Sequence, residues 1–367
     1  MEQMKNPFQV NTTEVVFALL NYFVIQIIMG YNQSVVKTAA TASWLMLLYL
    51  AALSIVAFLL LSFLMQHFKK KDILDICTDT FGRVVGTIYG LTLVAGFVFQ
   101  SASVLRQVCD RFKIIAYENS PLWYILLFFV LAAVFACFGG LDVIIRAAKI
   151  IMPFVLFSLV VLLVGNFEWV ELHNLQPFWG NGVKSVFWDS LPLLSLFSPI
   201  LSLLLLPPYL KDHGKVTKSG VWILVTGGIL YSMLTVLLLM KFPYPTSQEL
   251  LMPYYVLSGL VTFGDRIARV EVLFLLTWVL GIMLYFSLLL MLGVHTLQKS
   301  FGLKNRKVVA VLLGALVFAL AFFPQTTGSI KYIEQNILAK YGTIPLLVLP
   351  LIILIAANVK RKIKESL

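Results

Sequence analysis

The stretch Thr13–Val36, TEVVFALLNYFVIQIIMGYNQSVV, is long enough to cross a bilayer, but a polar run interrupts it near its end. A spanning helix needs roughly 20 predominantly apolar residues. The residues through Ile25 suit that role, and Gln26-Ile27-Ile28-Met29-Gly30-Tyr31-Asn32-Gln33-Ser34 then brings amides, a hydroxyl and a glycine into the span. Hydrocarbon offers no hydrogen-bond partners, so a broken helix persists only where protein or a cavity satisfies its backbone. An unwound turn at Gly30 would expose amides able to hold a carboxylate at a half-helix N-terminus. The other reading makes Gly30 a packing glycine, common in membrane helices, with Asn32 and Gln33 at the outer end. The stretch is too long for a signal-peptide core and lacks a convincing small-residue cleavage site, so it reads as a retained first helix.

The chain outside this stretch is equally apolar. Of 367 residues, 60% are hydrophobic and 12% charged, against about 45–50% and about 25% in soluble domains. Further spans fall near Ala42–His67, Val84–Val108, Leu122–Phe138, Leu141–Val164, Val186–Leu210, Val216–Met240, Ile267–Leu297, Val308–Phe323 and Gly342–Ala357. The expected fold is an all-α polytopic membrane protein of about ten transmembrane helices. With the N-terminus inside, eighteen of the 28 Lys and Arg fall on the inner side, including Lys69, Lys70, Lys71 and the tail from Lys360. That bias predicts both termini in the cytoplasm. It also explains the net charge of +11 through loop placement and contact with anionic lipid, not through nucleic acid.

Several loops carry their own signals. KKKDILDICTDTFGR (Lys69–Arg83) alternates apolar and polar residues, as a short interfacial helix does. Asn166–Asn181 brings Trp169, Phe178 and Trp179, suiting an outer aromatic belt. Phe242–Asp265, with Pro243, Pro245 and Pro253, is an outer excursion with room for a short surface helix.

The sixth span contains Ser195-Leu196-Phe197-Ser198-Pro199. Pro199 removes an amide and frees a carbonyl near Ser195, giving either a ligand-lining break or a kink satisfied by serines. The first and sixth spans lie five apart, the separation of equivalent breaks in an inverted five-helix repeat. Gln100 is the most buried-looking amide, and faces a central cavity or makes an interhelical hydrogen bond. Arg106 is expected to snorkel at the outer end of the third span. His67, His173, His213 and His295 fall near interfaces or loops. No Asp or Glu is placed deep in a span, which argues against a proton- or sodium-coupled pump. Cys77, Cys109 and Cys137 show no metal-ligand or disulfide spacing, and no hydrolase, metalloprotease or nucleotide-binding motif occurs. No cofactor is expected.

Several segments together resemble the spore germination B-subunit family. These are the permease-like membrane components of nutrient germinant receptors, within the amino acid–polyamine–organocation superfamily. The segments are DRIARVEVLFLLTWVLGIM (Asp265–Met283, with Arg269, Glu271 and Trp278), LQKSFGLKNRK (Leu297–Lys307), LLLPPYLKD (Leu204–Asp212), HNLQPFWGNGVKSV (His173–Val186) and TDTFGRVVGTIYGL (Thr78–Leu91). The resemblance implies two inverted five-helix repeats, about 13–165 and about 186–357, with the first and sixth helices broken. It implies a small-nutrient pocket involving Met29, Gly30, Tyr31, Gln100, Ser198 and Tyr285. It also implies assembly with receptor A and C subunits in the spore inner membrane. Where the family has Gly-x-Gly and then Leu-Pro in the first span, only Gly30 and a valine stand here; Pro199 and Ser202 occupy the stretch where the sixth usually has Gly and often Glu. The implied function is nutrient sensing rather than catalysis. The alternatives are an amino acid permease working by alternating access and an assembly scaffold with a degenerate pocket.

Overall fold

The computed structural model describes residues 10–29, 32–68, 70–115, 119–168, 170–211, 213–261, 270–323 and 344–366. Among them, nine helical segments are long and apolar enough to cross a bilayer. A tenth, Arg306–Phe322, has 17 residues, about 26 Å at 1.5 Å per residue. The helices are α1 (Thr12–Met29), α2 (Asn32–Ala39), α3 (Ser43–Met65), α4 (Ile73–Phe81), α5 (Arg83–Ile115), α6 (Leu122–Gly139), α7 (Leu141–Gly165) and α8 (Val183–Phe187). They continue with α9 (Val216–Lys241), α10 (Tyr244–Glu249), α11 (Pro253–Gly259), α12 (Val270–Phe301), α13 (Arg306–Phe322) and α14 (Leu349–Ser366).

The two longest helices form the frame. α5 has 33 residues and α12 has 32, and they pack along one another. Each is about 50 Å long, more than a bilayer core requires, so their ends project or the helices tilt. α1 lies against α12, α7 and α9, and every residue from Ala18 to Met29 is buried. Asn21 Nδ2 donates to the Gly281 carbonyl at 3.0 Å, tying α1 to α12. The absence of a side chain at Gly281 permits this approach: a Cβ there would sit 2.6 Å from Ile25 Cδ1. Gly140 joins α6 to α7 at φ +103, a conformation L side chains rarely adopt.

The loop Lys69–Arg83 does form a helix. Asp72 caps α4 by accepting from the Asp75 amide at 2.9 Å, and Asp75 returns the bond to the Asp72 amide at 3.4 Å. This reciprocal pairing satisfies two donors that a helix start leaves open. The excursion after α9 holds two short helices, α10 and α11.

One expectation is met and two need correction. The first span is divided: α1 ends at Met29 and α2 begins at Asn32, while Gly30 and Tyr31 lie outside the described residues, as do Trp169 and Arg269. The sixth span is no kinked α-helix. After α8 the chain turns through 188–190 and winds as a 3₁₀ helix over Leu191–Leu205, followed by a 3₁₀ turn at Pro207–Tyr209. Such windings rarely exceed three or four residues. Pro192 begins this one and Pro199 lies inside it, where an α-type bond to Ser195 cannot form. Finally, Arg106 does not snorkel. α5 continues to Ile115, so Arg106 is buried, donating to Asp110 Oδ1 at 3.0 Å and to the Ala321 carbonyl at 3.2 Å.

Candidate functional site

A cavity of about 90 Å³ opens between α5, the 3₁₀ segment Leu191–Leu205 and the entry to α14. One face of α5 supplies Tyr89, Leu93, Phe97 and Gln100 at helical spacing. Ser198, Leu201, Ser202 and Leu205 come from the 3₁₀ segment, and Pro345 and Leu346 close the side. At one end lie Tyr22 and Gln100; at the other is Ile73, the first residue of α4. No Asp, Glu, Lys or Arg is among the described lining residues.

The polar end is a three-residue network across three helices. Tyr22 of α1 donates its hydroxyl to Gln100 Oε1 at 3.1 Å. Gln100 Nε2 donates to the Tyr285 hydroxyl of α12 at 3.1 Å. The two tyrosine rings meet edge to face with centroids 4.8 Å apart. A single amide thus uses both its halves to join α1, α5 and α12. The network is neutral, so burying much of it avoids the large desolvation cost of a charge. Its phenol and amide groups can trade a partner for a ligand's polar group.

Of the residues implied by family resemblance, Gln100 and Ser198 line the cavity, and Tyr285 joins through Gln100. Met29 does not line it. Its carbonyl instead accepts from Arg111 Nη2, and Arg111 Nη1 lies 3.2 Å from its sulfur. Gly30 and Tyr31 are outside the described residues. Tyr22 carries no separate signal in the sequence, because a tyrosine in an apolar span reads as packing. Its spacing does place it one turn from Gln26, on the same span that the polar run interrupts.

A second, charged network lies beyond the apolar end. Asp72 is fully buried and its Oδ2 lies 2.5 Å from Lys299 Nζ. Lys299 also meets Asp75 at 2.6 Å. His295 Nε2 stands 3.7 Å from Asp72, too far for a hydrogen bond, and its Nδ1 pairs with the Tyr209 hydroxyl at 2.9 Å. Burial alone would raise the Asp72 carboxyl, but His295 and the Lys299 ammonium outweigh it and hold it below the ordinary carboxylate range. This network ties α4, α12 and the chain leaving the 3₁₀ segment. The next residue, Leu210, forms a parallel bridge with Val10 ahead of α1. No group of three His, Cys, Asp or Glu suited to a metal occurs among the described residues.

Comparison with known proteins places this fold. "Spore germination protein KB" of Bacillus subtilis (strain 168) is 22% identical over 356 residues, spanning 94% of this chain and 95% of that protein. The solved structure of MhsT in complex with L-phenylalanine superposes with a TM-score of 0.64 at 15% identity, over 95% of this chain and 89% of that one. A Na⁺-coupled sialic acid symporter, in a substrate-bound outward-open state, gives 0.62 at 10% identity over 88% and 76%. These two likenesses establish the fold, an amino acid permease-like arrangement of inverted repeats with broken first and sixth helices. The family model described as "Spore germination protein" matches residues 9–330, and this multi-pass membrane chain belongs to that family.

Proposed function

We propose that this protein is the nutrient-sensing subunit of a spore germinant receptor, with both termini in the cytoplasm and the spore inner membrane as its site. A small amino acid-like nutrient enters the cavity, and its polar group engages Gln100, Tyr22 and Ser198 while its apolar part lies toward Leu93 and Leu205. The observation that carries this reading is the Gln100 amide, which links α1 and α12 and borders the cavity. A ligand bonding to that amide competes with the two tyrosines. It therefore favours one arrangement of α1 against α12 over another, and receptor A and C subunits read the difference. Only differential affinity for the two arrangements can drive such a signal.

The transporter-like fold favours a second reading, a permease working by alternating access. Proteoliposomes separate the two. A sensor binds labelled amino acid saturably without accumulating it; accumulation against a gradient supports the permease. The Gly30→Leu variant adds a check on the first-span break. We expect normal membrane level with the nutrient response abolished, and an unaltered response removes that break from the site.

A further inference from the structure

The apolar end of the cavity has a floor. Ile73 lines the cavity, yet only 1% of its surface is exposed. Directly behind it stands a layer made from four separate stretches of chain. α4 brings Asp72 and Asp75, and α12 brings Lys299 and His295. The turn after the 3₁₀ segment brings Tyr209, and the chain ahead of α1 brings Val10. Lys299 Nζ reaches Asp72 at 2.5 Å and Asp75 at 2.6 Å. His295 pairs with the Tyr209 hydroxyl, and the Tyr209 carbonyl accepts from the Val10 amide at 2.8 Å. The layer joins the entry of the first span, the exit of the sixth, α4 and α12 at one level.

Two features fit this layer to close a path as well as tie helices. The Asp72 side chain has no exposed surface, whereas Lys299 keeps 23% of its own. The pair thus spans the step from water to interior, with the carboxylate next to the cavity floor. A solute passing Ile73 has to part the two, and parting them strands a buried charge. The second feature is the surface that the layer leans on. A Cβ at Gly86 of α5 would collide with the Thr78 hydroxyl, and one at Gly90 with the Ser300 hydroxyl. α4 and the end of α12 therefore seat close on the α5 backbone, beside the cavity-lining Tyr89 and Leu93.

We propose that the Asp72–Lys299 pair is a latch that closes the α4 end of the cavity, so that a solute bound there enters and leaves by another route. This rests on the reading of the cavity as the nutrient site and deepens it, because a cavity latched at one end suits binding without passage.

The test needs no nutrient, so its failure is separate from a failure of that reading. The full chain carries Ser202→Cys in the cavity wall, and sealed vesicles receive a membrane-impermeant methanethiosulfonate on the α4 face. Mass spectrometry gives the modification rate at each cysteine. Lys304→Cys, exposed just past the end of α12, reports that the reagent is on that face. The buried native Cys109, toward the far end of α5, reports general loosening. The Ser202→Cys thiol should react slowly with the latch intact. In Asp72→Asn/Lys299→Gln it should react about tenfold faster or more, since no stranded charge then opposes opening, with the Lys304→Cys and Cys109 rates unaltered. Asparagine keeps the α4 cap, and Lys299→Arg, which keeps the cation, should stay slow. Equal Ser202→Cys rates in the latched and neutral chains overturn the proposal, as does a Cys109 rate that rises in step or a fast Lys299→Arg chain. If the doubly neutral chain does not fold, Asp72→Asn alone decides, because Lys299 keeps Asp75 as its partner: a faster Ser202→Cys reaction supports the latch, and an unchanged one overturns it.

Discussion

Two polar networks sit along the α5–α12 frame, and they are built from opposite materials. Near the middle of the frame, Tyr22, Gln100 and Tyr285 join three helices through neutral hydrogen bonds at 3.1 Å. At the α4 end, Asp72, Asp75 and Lys299 join helices through charge, with contacts as short as 2.5 Å. A neutral network contributes about 0.5–1.5 kcal/mol per bond and can exchange a partner at modest cost. A buried ion pair resists such exchange, because freeing one charge leaves the other stranded. In the proposed function the neutral network is thus the part that answers a ligand, and the charged one holds the α4 end together.

The sharpest way to break this contrast is Lys299→Met. It leaves Asp72 buried without its ammonium, and removing one partner of a buried pair costs about 3–5 kcal/mol. Thermal unfolding should move down strongly, and Asp72→Asn in the same chain should restore part of the loss while keeping the α4 cap. Acid gives the next test. The depressed Asp72 carboxyl contributes stability that is present above its unfolded value, about 3.9, and lost as pH falls through the lower folded value. Stability measured from neutral pH downward should therefore fall in acid, and that acid arm should shrink in Asp72→Asn. Tyr285→Phe is the smallest change in stability, about 1–3 kcal/mol for an unpaired Gln100 nitrogen. Its effect on the nutrient response should nonetheless exceed that of Lys299→Met variants rescued by Asp72→Asn. A dose–response comparison in spores checks this ordering.

Some of this was legible in the residues alone. α4 showed in its alternation, because an amphipathic interfacial helix must carry an apolar face. Gln100 stood out because an amide inside an apolar span demands a partner. The partners themselves did not show, since Tyr22 is 78 residues away and Tyr285 is 185 away. The Asp72–Lys299 pair, 227 residues apart, was hidden the same way, as the sequence puts both residues in basic stretches beyond the apolar spans, where they already explain orientation. The winding of Leu191–Leu205 was illegible for another reason. Apolar residues on all sides erase the periodicity that separates α from 3₁₀, and prolines announce a break without naming its form. Arg106 was misplaced because the end of α5 lay seven residues beyond the apolar stretch.

The most direct test of the central claim is the nutrient dose–response of spores carrying Gln100→Leu, with membrane level measured in parallel. Leucine keeps the bulk and removes both hydrogen bonds. If the cavity beside Gln100 receives the nutrient, the midpoint concentration should rise by about tenfold or more, since each 1.4 kcal/mol of lost binding is tenfold. An unchanged midpoint at normal membrane level would contradict the account.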